Sequence, residues 1–165
     1  MKTREITLEE VLDQREERMY AIEKVKTDYP NHSVISYQLN IPGPIKNDKQ
    51  LLYAFEAGLK QIEEAELIVD WRENTTGPEA ILIYAKDADE TKLDMIKIEE
   101  GFPLGRLFDL DVAGADRKAL DLAPRKCLLC EEPAHVCSRS RKHGLEEVLN
   151  KIYEIIEEYR QEKNE

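Results

Sequence analysis

The sequence predicts an α+β fold, a single domain over residues 1–165 in which a mixed sheet is flanked by helices. Two observations carry this expectation. Stretches with apolar residues at helical spacing are interleaved with short stretches of period-two hydrophobicity, in the order helix, strand, helix, strands, helix, strand, helix. A chain of 165 residues is also long enough to bury one real core, and 41% hydrophobic with 36% charged residues is a globular balance.

Thr7-Leu8-Glu9-Glu10 has the capping-box pattern, with Leu8, Val11, Leu12, Met19 and Ile22 following at helical spacing. This first helix should end near Tyr29-Pro30. His32 to Leu39 reads as a strand whose Ile35, Tyr37 and Leu39 share a face. Asn40-Ile41-Pro42-Gly43-Pro44 then forces a loop. Asp48 can cap a second helix with Leu51, Leu52, Phe55, Leu59 and Ile62 on one side. Leu67–Trp71 and Ala80–Ala85 read as strands joined through the turn Asn74-Thr75-Thr76-Gly77-Pro78. Asp87-Ala88-Asp89 opens a third helix ending at Gly101, and a strand containing Asp109 and Asp111 follows. Residues 114–143 are less regular and hold all three cysteines. A last helix from about Gly144 to Tyr159 turns Leu145, Val148, Leu149, Ile152 and Ile156 inward.

Function is most legible at Pro103–Val112. In a strand, Asp109 and Asp111 point to one face while Phe108, Leu110 and Val112 point to the other. Two adjacent carboxylates repel unless a cation or a proton sits between them. A hard cation such as Mg²⁺ is held by one or two carboxylates together with substrate phosphates, so the pair can supply that half-site. Gly105 permits close backbone approach and Arg106 can hold a phosphate. An isolated Asp-x-Asp is short and common, and it also fits a solvated strand edge.

The charge distribution adds to this. A net charge of −11 argues against general nucleic-acid binding. Between Arg117 and His143, however, seven lysines and arginines face only three acids, a reversal suited to a polyphosphate ligand. No run of about 18 apolar residues is present, so no membrane span is expected. Met1–Glu5 lacks a signal-peptide core, and a cytoplasmic location is the expectation.

Cys127-x-x-Cys130 is followed closely by His135, Cys137 and His143. Ligands at this density can build a tetrahedral Zn²⁺ site from Cys127, Cys130, Cys137 and His135. Buried reduced thiols are the alternative, since disulfides are rare in the cytoplasm. Arg139, Arg141 and His143 read as phosphate contacts beside the start of the last helix.

Four segments carry a resemblance over nearly the whole chain. They are Arg15-Glu16-Glu17-Arg18, Asn40-Ile41-Pro42-Gly43-Pro44-Ile45-Lys46, Gly105–Val112, and Pro124-Arg125-Lys126-Cys127-Leu128-Leu129-Cys130 continuing through Ala134, Cys137, Arg139-Ser140-Arg141 and His143. The sequence resembles the holo-citrate-lyase synthases, also called apo-citrate lyase phosphoribosyl-dephospho-CoA transferases. The resemblance implies transfer of phosphoribosyl-dephospho-CoA from triphosphoribosyl-dephospho-CoA to a serine of the acyl carrier (gamma) subunit of citrate lyase, with loss of pyrophosphate. Asp109 and Asp111 would hold Mg²⁺ there, with Arg106 and Gly105 at the phosphate chain. Gly-x-x-x-Asp-x-Asp is also similar to nucleotidyltransferase sites. A third metal carboxylate is often present in that superfamily, and Asp70, Asp116 and Asp121 are the candidates here.

Two other readings remain at this stage. A non-catalytic zinc-knuckle module of the citrate lyase assembly would not need Asp109 or Asp111. A nucleotidyltransferase with a small-molecule acceptor would need no carrier protein. The basic segment 117–143, with Arg117, Lys118 and Arg125, is the expected docking side for an acidic carrier.

Overall fold

The computed structural model describes residues 3–164; Met1 and Lys2, on which the reading of the N-terminus partly rests, and Glu165 lie outside the described residues. Four strands, β1 (Ser33–Leu39), β2 (Glu66–Asp70), β3 (Glu79–Tyr84) and β4 (Phe108–Val112), form one sheet in the order β2-β3-β1-β4. All three pairings are antiparallel, where a mixed sheet was expected. The α+β class stands. The short turn after β2 returns the chain antiparallel, whereas β1 to β2 and β3 to β4 are helical crossovers that each skip one strand, so strands running in the same direction are never neighbours.

Among the described residues there are five α-helices: α1 (Leu8–Asp28), α2 (Lys49–Leu59), α3 (Ala88–Gly101), α4 (Ala134–Ser140) and α5 (Leu145–Lys163). Their starts follow the capping signals. Thr7 and Glu10 form the reciprocal capping box of α1, with Glu10 N–H donating to Thr7 Oγ1 at 3.2 Å. Asp48 Oδ1 accepts from Leu51 N–H at 2.8 Å, and Asp87 Oδ1 from Glu90 N–H at 3.0 Å. The short α4 has no side-chain cap and was not anticipated.

The two faces of the sheet differ. One carries Ile35, Tyr37, Ala80, Leu82, Phe108 and Leu110 into the main core, which α2, α3 and α5 close with Leu51, Phe55, Met95, Ile152 and Ile156. The other has a small apolar cluster of Val25, Val34, Ile81 and Ile83 beneath the C-terminal half of α1. The rest of that face is polar. Beyond the apolar cluster, α1 turns Gln14 and Arg18 toward the sheet, where both bond the buried carboxylate of Glu79. The expected apolar face of α1 is therefore rotated: Leu8, Leu12 and Met19 are exposed, and so is Arg15. A stripe at helical spacing faces inward only where the opposing surface is apolar, and here that surface is a carboxylate.

The loop after β1 is a rigid turn. Gly43 has φ +81°, Lys46 Nζ donates to the Ile41 carbonyl, and Asn47 Nδ2 donates to the Asn74 carbonyl at 2.5 Å.

Candidate active site

Strand alternation places Asp109 and Asp111 on the polar face of β4, with Phe108, Leu110 and Val112 buried behind them. In register, Gln38 lies between Glu79 and Asp109, and Ser36 lies beside Asp111, so a polar row crosses three strands. Gln38 Nε2 donates to Asp109 Oδ2 at 3.1 Å. Asp111 reaches solvent, yet the surrounding walls strip part of its hydration and push its carboxyl above the ordinary range. Asp109 adds to that rise, while Lys92 and Arg18 oppose it.

β4 is an edge strand, and α3 covers its outer edge. The Leu110 carbonyl accepts from Lys92 Nζ at 2.9 Å and the Leu110 N–H donates to Glu99 Oε1 at 3.1 Å. Lys92 and Glu99 are both buried and lie two helical turns apart, so one face of α3 pairs the exposed ladder and blocks further strand addition. Glu99 also binds Arg117 Nη2 at 3.0 Å. The acid pair thus stands on a strand fixed along both edges.

Asp109 and Asp111 form one wall of an open cleft of about 710 Å³. Lys92, Arg117, Lys118 and Arg125 bring positive charge to it, and Asp116 and Asp121 bring further carboxylates. Acids adjacent to a basic rim suit a cation bridged to a polyphosphate. The donor set fits a hard cation: two carboxylates on one face, one of them raised by desolvation and by the charge of its neighbour.

The stretch before the acids is clamped from the far side. Arg106 Nη2 donates to the carbonyls of Lys126 and of Cys127, the latter at 2.7 Å. Reciprocally, Arg125 donates to the carbonyls of Phe108 at 2.7 Å and Arg106 at 2.9 Å. Two guanidinium groups therefore tie residues 105–108 to 125–127.

Next to this clamp, Cys127, Cys130, Cys137 and His143 converge, their ligand atoms all within 4.8 Å of one another. Cys130 Sγ lies 3.4 Å from Cys137 Sγ and 3.4 Å from His143 Nε2. All three cysteines are free thiols. The His143 contact lowers the Cys130 thiol to about 6, while burial raises Cys137 to about 12. Three sulfurs and one imidazole nitrogen in this space can hold a metal ion.

Residues 6–159 match the family model described as apo-citrate lyase phosphoribosyl-dephospho-CoA transferase. A protein of Streptococcus pyogenes serotype M18, named probable apo-citrate lyase phosphoribosyl-dephospho-CoA transferase, is 36% identical over 97% of this chain and 90% of its own length. One of the same name from Vibrio cholerae serotype O1 (strain M66-2) is 39% identical over 76% of this chain and 78% of its own. The chain belongs to this family. Against the apo-citrate lyase phosphoribosyl-dephospho-CoA transferase reading, the structure places the expected site residues in two groups.

Asp109 and Asp111 share the cleft, with Asp116 and Asp121 on the same cavity. Asp70 is on the far edge strand, bonded to Arg72 at 2.6 Å, and does not line this cleft. Gly105 does not face a ligand: a Cβ there would meet the Ile98 carbonyl oxygen at 2.3 Å, so its role is close packing on α3. Arg106 holds carbonyls rather than a phosphate. Arg139 and Arg141 are exposed and outside the cleft. His143, expected at a phosphate, is with the thiols, and His135, expected among them, is exposed. The reason is helical geometry: two residues apart on α4, His135 and Cys137 cannot face the same way. Arg117 and Arg125, expected to dock a carrier, bind Glu99 and backbone carbonyls instead.

The sequence reading passed over Gln38, Glu79, Arg18, Lys92 and Glu99. Gln38 was recoverable, because the alternation that buries Tyr37 and Leu39 sends Ser36 and Gln38 to the face of the acids. The inward stripe Gln14, Arg18, Ala21 and Val25 also has helical spacing, hidden by its polar members. Nothing local marks Lys92 or Glu99, whose partner is a strand edge.

Proposed function

We propose that this chain transfers phosphoribosyl-dephospho-CoA from triphosphoribosyl-dephospho-CoA to a serine of the acyl carrier (gamma) subunit of apo-citrate lyase, releasing pyrophosphate. The observation that carries the reading is the Asp109–Asp111 pair on the wall of a cleft with a basic rim. Family membership supports a CoA-derived donor and apo-citrate lyase as the acceptor. In the reaction the serine oxygen forms a bond to the phosphorus next to the ribose, the bond from that phosphorus to pyrophosphate breaks, and the serine proton is lost. Asp109 and Asp111 would hold Mg²⁺, which when bound neutralises charge on the triphosphate.

The chain's own residues divide the remaining work. Gln38 fixes one oxygen of Asp109, so that its other oxygen is directed to the cleft. Lys92, anchored on the Leu110 carbonyl, places a cation behind the acids. Lys118, exposed at the rim, is the free cation best placed for the phosphate chain. Among the described residues no helix is long and apolar enough to cross a membrane, and we assign the protein to the cytoplasm, with its acceptor.

The test is the intact mass of the apo carrier subunit after incubation with this protein, Mg²⁺ and triphosphoribosyl-dephospho-CoA. The carrier should gain one phosphoribosyl-dephospho-CoA. Asp109→Asn should slow this by about a thousandfold or more, the scale of removing a group that stabilises transition-state charge. An unmodified carrier with folded enzyme would overturn the reading. Modification that survives Asp109→Asn would move the chemistry elsewhere.

A further inference from the structure

We propose that Cys127, Cys130, Cys137 and His143 hold a structural zinc ion that fastens the 116–143 segment to the wall of the active cleft. Four observations lead there independently of any catalytic assignment.

The first is the shape of the cluster. Tetrahedral zinc with sulfur at about 2.3 Å requires ligand atoms roughly 3.8 Å apart. Here Cys130 Sγ is 3.4 Å from both Cys137 Sγ and His143 Nε2, and no pair of ligand atoms exceeds 4.8 Å. A single ion fits among them with little movement. Four protein ligands leave no position for water or substrate, which is the structural rather than the catalytic form of a zinc site.

Second, the backbone is folded around the sulfurs. Cys127 N–H donates to the Glu132 carbonyl at 2.7 Å and Ala134 N–H to the Arg125 carbonyl at 2.8 Å, closing a narrow hairpin over the Cys-x-x-Cys turn. Within that turn Leu129 N–H points at Cys127 Sγ, 3.5 Å away. Helix α4 then supplies Cys137. Arg141 ends it in the left-handed conformation, φ +50°, and this reversal returns His143 to the thiols. A non-glycine residue in that region is strained, and the strain is compensated if His143 gains a bond there.

Third, the surroundings complement a loaded site. Binding zinc through three thiols releases three protons and leaves a net charge of −1 with a neutral imidazole. Lys142 Nζ lies 3.6 Å from Cys130 Sγ and offsets it. His143 turns Nδ1 toward Glu147 Oε2 at 3.8 Å, the carboxylate side on which zinc-bound histidines commonly find a partner.

Fourth, beyond the arginine clamps and the Arg117–Glu99 pair, the segment has almost no buried core to hold it. From Asp116 to His143, Cys137 is the only buried residue. A stretch of this length without a core ordinarily needs a disulfide or a metal, and the thiols are free. Through Arg106 and Arg125, the ion would also set the position of residues 105–108, immediately before Asp109.

Elemental analysis of the full-length protein, purified without metal-affinity steps or chelators, tests this directly. It should show one zinc per chain, and cobalt replacing it should give the visible absorption of a tetrahedral, thiolate-bound ion. His143→Ala should lower zinc affinity by more than about 100-fold, beyond the loss expected for an outer partner such as Glu147. His143→Cys should retain the ion, and His135→Ala should leave it unchanged. The wild-type measurement decides, independently of how any variant folds: no zinc with three freely alkylated thiols, or a Cys130–Cys137 disulfide, overturns the proposal. Metal content is read without an activity assay, so a carrier that stays unmodified while zinc is present counts against the transferase reading alone.

Discussion

The cleft at β4 and the thiol cluster beside it both gather groups that repel or crowd one another, and they handle the conflict in opposite ways. At the cleft, Asp109 and Asp111 stand side by side with a single neutral donor, Gln38, and the space before them is open. Their positions are fixed by what lies behind: a buried face, a central partner strand, and the side chains of α3 along the outer edge. At the cluster the four ligand atoms face each other and little lies behind them. The comparison separates two uses of strained chemistry. Where a scaffold already holds the groups, their unmet demand for a cation is available to a substrate complex. Where no scaffold exists, the same demand can hold the chain together.

Residues at the junction test whether the two regions are coupled, and Gly105→Ala should have the largest effect on stability. The added Cβ would lie 2.3 Å from the Ile98 oxygen and 2.5 Å from the Glu99 oxygen, both backbone atoms of the last turn of α3. Neither can yield without moving the helix that pairs β4. A loss of about 3 kcal/mol is expected, seen as a lower urea midpoint at unchanged slope. Zinc retention and transfer should fall together. Unchanged stability with only a raised KM for the donor would return Gly105 to a phosphate-binding role.

Arg106→Lys should cost less. Both the Lys126 and Cys127 carbonyls accept from one nitrogen, Nη2, at the end of a side chain longer than lysine's, so an ammonium would fall short of that position. A carbonyl left without its partner costs about 1–2 kcal/mol, confined here to the clamp. Zinc release to a chelator should quicken several-fold while the KM for the donor stays as it was. The opposite result, a raised KM with unchanged zinc release, would uncouple the regions.

The same contrast explains how much was legible in the sequence. Elements held by local signals, such as the helices begun by Thr7, Asp48 and Asp87, could be read from a few residues each, as could the shared face of Asp109 and Asp111. The inward face of α1 could not, because what it meets is Glu79, sixty-five residues from Gln14. The thiol ligands were legible as a group, since Cys-x-x-Cys is a local pattern. Their histidine was not: the choice between His135 and His143 depends on an unanticipated seven-residue helix and on Arg141 reversing the chain. The sequence points Arg106 at a phosphate and Arg125 at a carrier, because nothing local reveals that Arg106 bonds the backbone of Lys126 and Cys127 and Arg125 that of Phe108 and Arg106.

The smallest effect, and the one most specific to the cleft, is the stability of Asp111→Asn as a function of pH. Burial and the neighbouring Asp109 raise the Asp111 carboxyl above its usual 3.8. A carboxylate raised on folding destabilises the native state when ionised: the penalty is full above the folded pKa, shrinks as pH falls through it, and is gone below the unfolded value. Asparagine removes the charge. In Mg²⁺-free buffer at pH 7 the variant should therefore melt higher than the wild type, by about 1–2 °C given how steeply domains of this size unfold. The gap should close toward pH 4. Millimolar Mg²⁺ should stabilise the wild type and leave the variant nearly unmoved, since a ligand raises Tm only through a site it can occupy. A variant that melts lower at pH 7, or a gap that widens in acid, would mean that Asp111 is held by a favourable partner. The cleft would then resemble the cluster, satisfied from within and not waiting for a cation.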